Sequence, residues 1–239
     1  MDTINIYSYN ILSTDLVDPN WHKKCNPEYL KTEYRFKLIS ERINLQIKNK
    51  AIICLQELSD DWISLLLSIF NKNNYTFIYD SVWYSVGIAV PNRYTIKSMK
   101  FITVGKELEK LCILNSETTD SWNRAINCRN RIVLLTLRQK IEKYNHLGEY
   151  YKIVSCPFTV ANYHMPCKFK DPSLMMIHTS MLLKLVRKNA SNQSISPMLI
   201  PYIICGDFNR TPKSESYKFI TKGGNFNNYF EKQYILFQI

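Results

Sequence analysis

Long apolar runs are missing from this sequence. No stretch approaches the roughly 18 uncharged apolar residues of a membrane span, and the N-terminal MDTINIYSYN has no basic region followed by an apolar segment. The chain therefore reads as unexported and intracellular, without a membrane anchor. Cysteine clusters are missing as well. The seven cysteines (Cys25, Cys54, Cys112, Cys128, Cys156, Cys167 and Cys205) are odd in number, and no two are closer than eleven positions. That spacing excludes a CxxC-based zinc site and a disulfide miniprotein, and suits buried thiols in a reducing compartment. Glycine is scarce, at six, and nothing collagen-like remains possible. Acidic residues are in deficit, 20 against 31 Lys and Arg, giving +11 spread along the chain. Such an excess favours a polyanionic partner such as nucleic acid.

What is present is a core. With 46% hydrophobic and 21% charged residues, the chain fits one globular domain, read here as residues 1–239, and no linker or repeat divides it. Short runs rich in Ile, Val, Tyr and Cys predict strands at Ile4–Tyr9, Ala51–Leu55, Tyr75–Tyr79, Val86–Val90, Ile132–Leu137, Phe158–Tyr163 and Tyr202–Cys205. Lys31–Lys48 carries a helical stripe of Tyr34, Leu38, Ile39, Ile43 and Ile47. Ser59 can cap a helix running through Trp62 to Phe70, with Asp60 and Asp61 complementing its N-terminal dipole. Leu174–Lys188 and Ser214–Thr221 predict two further helices. The order of elements suggests an α/β sandwich with helices covering sheets. The apolar residues after Lys222 are expected to dock on the core or to mark a chain that stops inside a structural unit.

Polar islands follow four of the apolar runs, where their side chains can converge on one rim. They are Ser8-Tyr9-Asn10-Ile11-Leu12-Ser13, Gln56-Glu57-Leu58, Asn162-Tyr163-His164-Met165-Pro166 and Gly206-Asp207-Phe208-Asn209-Arg210. Singly, each has a plainer reading: a turn former at Asn10, a solvated loop start at Glu57, a surface histidine at His164, an Asx turn at Asp207 and Asn209. Together they supply the carboxylates, carboxamides and imidazole that metal-assisted phosphodiester cleavage needs. Oxygen ligands such as Glu57 suit Mg²⁺, which takes few protein carboxylates. Asp207 can deprotonate an attacking water positioned by Asn209. His164 can donate to a phosphate oxygen on which charge develops.

With these residues in this order, the chain resembles the endonuclease/exonuclease/phosphatase superfamily, the metal-dependent phosphoesterases related to deoxyribonuclease I. The resemblance runs from about Ile4 to Tyr217 and rests on SYNIL at Asn10, LQE at Glu57, AN-x-H at His164 and GDFN at Asp207. Within it, the opening is similar to the nocturnin and Angel deadenylase group. Asn26-Pro27-Glu28-Tyr29 precedes Glu33-Tyr34-Arg35, Gly87-Ile88-Ala89-Val90 matches a family strand, and Arg210-Thr211-Pro212 follows GDFN. The resemblance implies a four-layer α/β/β/α sandwich with the site at the rim where two sheets meet. It implies Mg²⁺ or Mn²⁺ as cofactor, held by Glu57 with Asn10 assisting, and His164, Asp207 and Asn209 as catalytic residues. It also implies nucleic acid as partner, with deadenylase-like attack on RNA 3′ ends. Asn162, Lys168, Lys170 and Arg210 are the candidates for contact with substrate.

One family element is missing. The superfamily closes with a Ser-Asp-His motif, yet the histidines are His22, His146, His164 and His178, and neither His nor Asp follows Asp207. The sequence thus suggests a sandwich truncated at its C-terminal end, without its final strand and catalytic histidine. Three functions stay open: an enzyme using another donor, such as Lys213 or Lys222; an inactive fragment or a pseudoenzyme that binds RNA or protein; and a phosphatase of a small phosphorylated molecule. His178 reads as a packed helix residue, His22 and His146 as surface residues, and Trp62 as core. Trp122, among Arg124, Arg129 and Arg131, is a candidate for base stacking, as are the other tryptophans, Trp21 and Trp83.

Overall fold

Residues 3–81, 85–112, 120–144, 150–192 and 200–222 are described by a computed structural model. A first sheet contains β1 (Ile6–Asn10), β2 (Ile52–Leu58), β3 (Tyr75–Tyr79) and β4 (Ser85–Pro91) in the order β1-β2-β4-β3. β1 and β2 run parallel, and β4 is antiparallel to both of its neighbours. A second sheet contains β5 (Tyr94–Thr103), β6 (Arg131–Tyr144), β8 (Phe158–His164) and β9 (Tyr202–Asp207) in that spatial order, with β7 (Tyr150–Val154) pairing the far end of β6. β8 and β9 are parallel.

Two helices cover the first sheet, α1 (Thr32–Lys48) and α2 (Asp60–Lys72). On the second lie α3 (Val104–Cys112), α4 (Asp120–Ile126) and α5 (Pro172–Asn192), and α6 (Glu215–Lys222) packs on α5 through Phe219, Met176 and Leu183. The two sheets meet face to face through Ile52, Cys54, Ile88, Val90, Val133, Leu135, Val160 and Cys205. The architecture is the expected four-layer α/β/β/α sandwich.

Local chemistry accounts for these elements. β2 is buried along its whole length, and its alternation sends Ile53 and Leu55 toward the helices and Ile52 and Cys54 toward the other sheet. Ser59 caps α2 as read, its hydroxyl accepting from the Trp62 N–H at 3.4 Å. Trp62, Ile63, Leu66 and Phe70 then form the buried stripe of that helix, each side chain contributing about 1.5 to 3 kcal/mol by burial. On α1 the stripe differs from expectation. Ile39 and Ile43 are buried and Ile47 and Phe36 pack beside them, whereas Tyr34 and Leu38 remain exposed. Phe36 lies three residues before Ile39, on the same side of the helix, and takes the place expected of Leu38.

Several strands run past their expected ends, and β5, β7, α3 and α4 have no counterpart in the sequence reading. Cys54 and Cys205 are buried thiols as expected, but Cys156 and Cys167 are exposed, and the six cysteines whose side chains are described are all free. No helix among the described residues is long and apolar enough to cross a membrane. Trp83, His146 and the apolar segment after Lys222 lie outside the described residues.

Candidate active site

Because β1 is parallel to β2 and β8 to β9, the C-terminal ends of these four strands share one rim of the sandwich. They carry Asn10, Glu57, His164 and Asp207. Alternation along β2 would send Glu57 toward the helices, beside Ile53 and Leu55. A register shift between Gln56 and Leu58 prevents this, and Glu57 adopts φ +60°, a left-handed conformation costing roughly 1 to 2 kcal/mol in a non-glycine residue. The bulge turns its carboxylate onto the rim. At the facing strand, Gly206 has φ +146° and lies against the Tyr163 carbonyl, where any Cβ would collide with backbone. Only glycine lets β9 approach β8 so closely, which sets Asp207 opposite His164 in the ladder.

The carboxamide nitrogen of Asn10 lies between the two acids, donating to Glu57 Oε1 at 2.7 Å and to Asp207 Oδ2 at 3.0 Å. Its oxygen accepts from the Leu12 N–H at 2.9 Å. In this geometry Asn10 orients the carboxylates and presents them no oxygen. Glu57 Oε2 accepts from the Ser13 N–H at 3.2 Å. Asn209, at φ +48°, donates its backbone N–H to Asp207 Oδ1 at 2.9 Å and its side-chain amide to the Met165 carbonyl at 2.8 Å. His164 Nε2 stands 3.8 Å from Glu57 Oε1 and 4.0 Å from Asp207 Oδ2. Its Nδ1 is buried without a hydrogen-bond partner.

Glu57, His164 and Asp207 each offer a ligand atom within 4.8 Å of the others, a group able to hold a metal ion. Two carboxylates face each other here, and among the described residues no Lys or Arg forms an ion pair with either. Like charges so close are unfavourable unless a cation or a proton intervenes. The oxygen-rich set without thiols fits a hard divalent ion.

The loop after β1 is clamped from behind. Arg35 Nη2 donates to the Ile11 carbonyl at 2.6 Å and also to the Leu12 carbonyl, and its guanidinium lies 5.1 Å from the centre of the Trp62 ring. Burial lowers the Arg35 pKa. Trp62 Nε1 donates to the same Leu12 oxygen at 3.0 Å. The Glu33-Tyr34-Arg35 segment marked Arg35 in the sequence, but not its partners. Also missed was the 2.7 Å ion pair of Asp80 with Arg131, which joins the end of β3 to the start of β6. Burial raises the Asp80 pKa, against the opposing pull of Arg131.

Other sequence candidates lie elsewhere. Asn162 is fully buried between the sheets, donating to the carbonyls of Leu55 and Gly87 at 2.8 Å each and accepting from Gln56 Nε2 at 2.8 Å. It ties the layers together behind the rim and is not open to substrate. Lys168 and Lys170 are exposed on the loop after His164, around a depression of about 380 Å³ shared with Arg124 and Phe169. Arg210 is half-buried, with Nε and Nη2 unpartnered, and burial lowers its pKa. It lines a neighbouring pocket of about 310 Å³ with Lys213, Ser214 and Ser216. Trp122 is buried among the helices over the second sheet, which corrects its reading as a stacking surface. Arg124 and Arg131 are engaged by Asp171 and Asp80.

No family model matches the chain. Among curated relatives, carbon catabolite repressor protein 4 homolog 1 of Arabidopsis thaliana is 26% identical over 242 residues, covering 93% of this chain and 38% of its own length. Protein angel homolog 2 of Danio rerio is 25% identical over 220 residues, covering 90% and 35%. The chain thus spans little more than a third of these relatives. Among solved structures, Angel2, a 2′,3′-cyclic phosphatase, superposes with a TM-score of 0.69 at 22% identity, over 90% of this chain and 55% of that one. The catalytic domain of human nocturnin gives a TM-score of 0.57 at 19% identity, over 90% of this chain and 68% of that one. In sequence the chain is thus similar to CCR4- and Angel-type proteins, and it shares the fold of Angel2 and nocturnin, that of the endonuclease/exonuclease/phosphatase type.

Proposed function

We propose that the rim is a divalent-metal-dependent site that hydrolyses phosphodiester bonds in RNA. The observation that carries this reading is the convergence of Glu57, His164 and Asp207 within 4.8 Å, from strands of both sheets. Glu57 would hold the cation, Mg²⁺ or Mn²⁺, beside His164 and Asp207. When bound, the ion supplies positive charge that draws in the phosphate and stabilises the departing oxygen.

The protein's own groups do the rest. Asp207, fixed by Asn10 and by the Asn209 N–H, accepts a proton from a water whose oxygen attacks phosphorus as the P–O bond breaks. His164 donates from Nε2 to a non-bridging phosphate oxygen, a bond that strengthens as charge builds there. Lys168, Lys170 and Arg210 contact the substrate backbone.

A relative in Candida albicans named as a CCR4-Not complex 3′-5′-exoribonuclease subunit favours RNA cut from its 3′ end. A second reading, hydrolysis of a 2′,3′-cyclic phosphate, is favoured by the similarity to protein angel homolog 2 and by the fold shared with Angel2. One experiment separates them. End-labelled oligoadenylate and an oligonucleotide ending in a 2′,3′-cyclic phosphate are each incubated with the chain and Mg²⁺ or Mn²⁺, beside Asp207→Ala. Shortening of the oligoadenylate, lost in the variant and on chelation, supports the nuclease. Opening of the cyclic phosphate alone supports the phosphatase. Folded parent protein without either activity overturns both and leaves the inherited scaffold to binding.

A further inference from the structure

Between the rim loop and α1, the chain lines an open groove of about 680 Å³ with Trp21, His22, Lys23, Lys24, Asn26 and Tyr29. Its composition is unusual for solvent-facing surface. Trp21 is 71% exposed and Tyr29 50%, whereas Trp62 and Trp122 are buried. Such rings in water forgo the burial free energy that Trp62 and Trp122 gain.

The Tyr29 ring and the backbone that carries Trp21 are held in place. The ring of Tyr29 stacks on that of Tyr34 at 4.9 Å and 23°, so its angle is set while half of it stays in solvent. The Trp21 and His22 N–H groups donate to the Asp18 carbonyl at 3.0 and 3.1 Å, and the Cys25 N–H to the His22 carbonyl at 2.8 Å. Asn26 accepts from the Glu28 N–H at 3.0 Å and caps the next turn. A preorganised loop of this kind loses little entropy on binding.

Charge selects the occupant. Lys23 and Lys24 are exposed, and among the described residues neither forms an ion pair, the nearby Glu28 being held by Lys31 at 2.8 Å. Protein interfaces share the enrichment in Trp and Tyr but are depleted in Lys. Aromatic rings interleaved with unpaired cations are what single-stranded nucleic acid takes, its bases on the rings and its phosphates on the lysines.

We infer that this groove is a second binding site for single-stranded RNA, holding the strand away from the bond presented to the rim; that orientation rests on the function proposed above. Trp21 and Tyr29 stack on bases, and Lys23 and Lys24 contact phosphates. The distance is suitable. Ser13, whose N–H reaches Glu57, lies eight residues before Trp21, and eight residues span at most ~28 Å. At ~3.4 Å per stacked nucleotide, a strand of about eight nucleotides or fewer bridges rim and groove.

The test is fluorescence anisotropy of labelled single-stranded RNAs of four and sixteen nucleotides, with chelator present so that nothing is cut. The parent should bind the longer strand more tightly. Trp21→Ala should weaken that binding between about 5- and 150-fold, the range expected for one lost stack. Lys23→Ala/Lys24→Ala should lower the salt dependence by about 1.4, since each phosphate contact on a single strand contributes ~0.7. The comparison variant is Lys48→Ala/Lys50→Ala, which removes the same charge at the opposite end of β2. RNA binding also changes Trp21 emission, a signal that Trp21→Phe should abolish while keeping most of the affinity. Affinities of both groove variants equal to that of the Lys48→Ala/Lys50→Ala protein would overturn the inference and leave the groove to a protein partner. Because binding is read without metal, this failure is distinct from a failure of the rim to hydrolyse anything.

Discussion

Two buried histidines, fourteen residues apart in the chain, have opposite surroundings. His178, on α5, is fully buried and bonded at both ring nitrogens, to the Tyr163 hydroxyl at 2.7 Å and to the Ala125 carbonyl at 3.1 Å. A carbonyl can only accept, so Nε2 carries the proton and Nδ1 accepts from Tyr163. Burial pushes the His178 pKa down to about 4, and the ring is a neutral packing element. His164, at the end of β8, has Nε2 turned toward two carboxylates at 3.8 and 4.0 Å, beyond hydrogen-bond length, and a buried Nδ1 without a partner. His178 is satisfied by the fold alone. The rim holds polar groups whose partners are not supplied by the fold, and incomplete satisfaction of buried groups marks where something else is to bind.

The largest expected effect tests that contrast at the rim. His164→Ala should lower turnover by about 10²- to 10⁴-fold, the range for a lost positioned proton donor, while urea unfolding shows little loss of stability. A variant that unfolds before it slows would mean that His164 is a packing residue like His178. Next comes the tie between the layers. Asn162→Ala strips partners from Gln56 Nε2 and the carbonyls of Leu55 and Gly87. Gln56 Nε2 keeps the Ser8 hydroxyl and the Cys54 carbonyl, so at roughly 1 to 3 kcal/mol for each of the two carbonyls the cost should be about 4 kcal/mol in chemical denaturation. A loss under about 1 kcal/mol would show that water replaces the carboxamide, and that the interior between the sheets is as accessible as the rim.

His178 offers a pH signature. Its folded pKa, about 4, lies below the ordinary 6.5, so the unfolded chain takes up the proton first as pH falls. Stability is then fully present above about 6.5 and declines as pH falls toward 4, by ~3 kcal/mol from this group. Urea titrations at pH 7 and pH 4 should show that slope in the parent and a shallower one in His178→Gln. An equal slope in both would assign the acid sensitivity to other groups.

The two regions also differ in how far they can be read from sequence. Strand-end polar islands next to apolar runs are a local pattern, and Asn10, Glu57, His164, Asp207 and Asn209 stand out for that reason. The bulge that aims Glu57 at the rim is not local. Period-two alternation assigns Glu57 to the helix side with Ile53 and Leu55, and only pairing with β4 shifts the register. Long-range partners also decide the fate of Arg131, which looks like a free cation until Asp80 of the other sheet is brought to it. Trp122 looks like a stacking surface until α5 packs over it. β5 escaped because its buried and exposed positions do not alternate cleanly, and α3 and α4 because nine and seven residues give a helical period too few turns to register. His178 was legible as a packed residue because its helical neighbours Met175, Met176 and Leu182 are apolar, whereas its partner Tyr163 was not.

Arg35 couples the helices over the first sheet to the rim. It rises from α1, lies over Trp62 of α2, and holds the carbonyls of Ile11 and Leu12, directly after the residue that orients both rim carboxylates. Lysine keeps the charge but lacks the planar fork and stacks poorly on an indole. Arg35→Lys should therefore let the loop of Leu12 and Ser13 drift while the apolar stripe beneath it stays packed. The expected result is about a 10-fold fall in kcat, or ~1.4 kcal/mol in the barrier, with KM for a short RNA little changed and a small shift in Tm. Arg35→Ala should lower Tm further as well as kcat. If Arg35→Lys leaves kcat untouched, the loop is fixed by Trp62 and by the Ser13 bond to Glu57 alone. If kcat and Tm fall in proportion for both variants, Arg35 acts through stability, and the rim is positioned by the sandwich itself rather than by the clamp behind it.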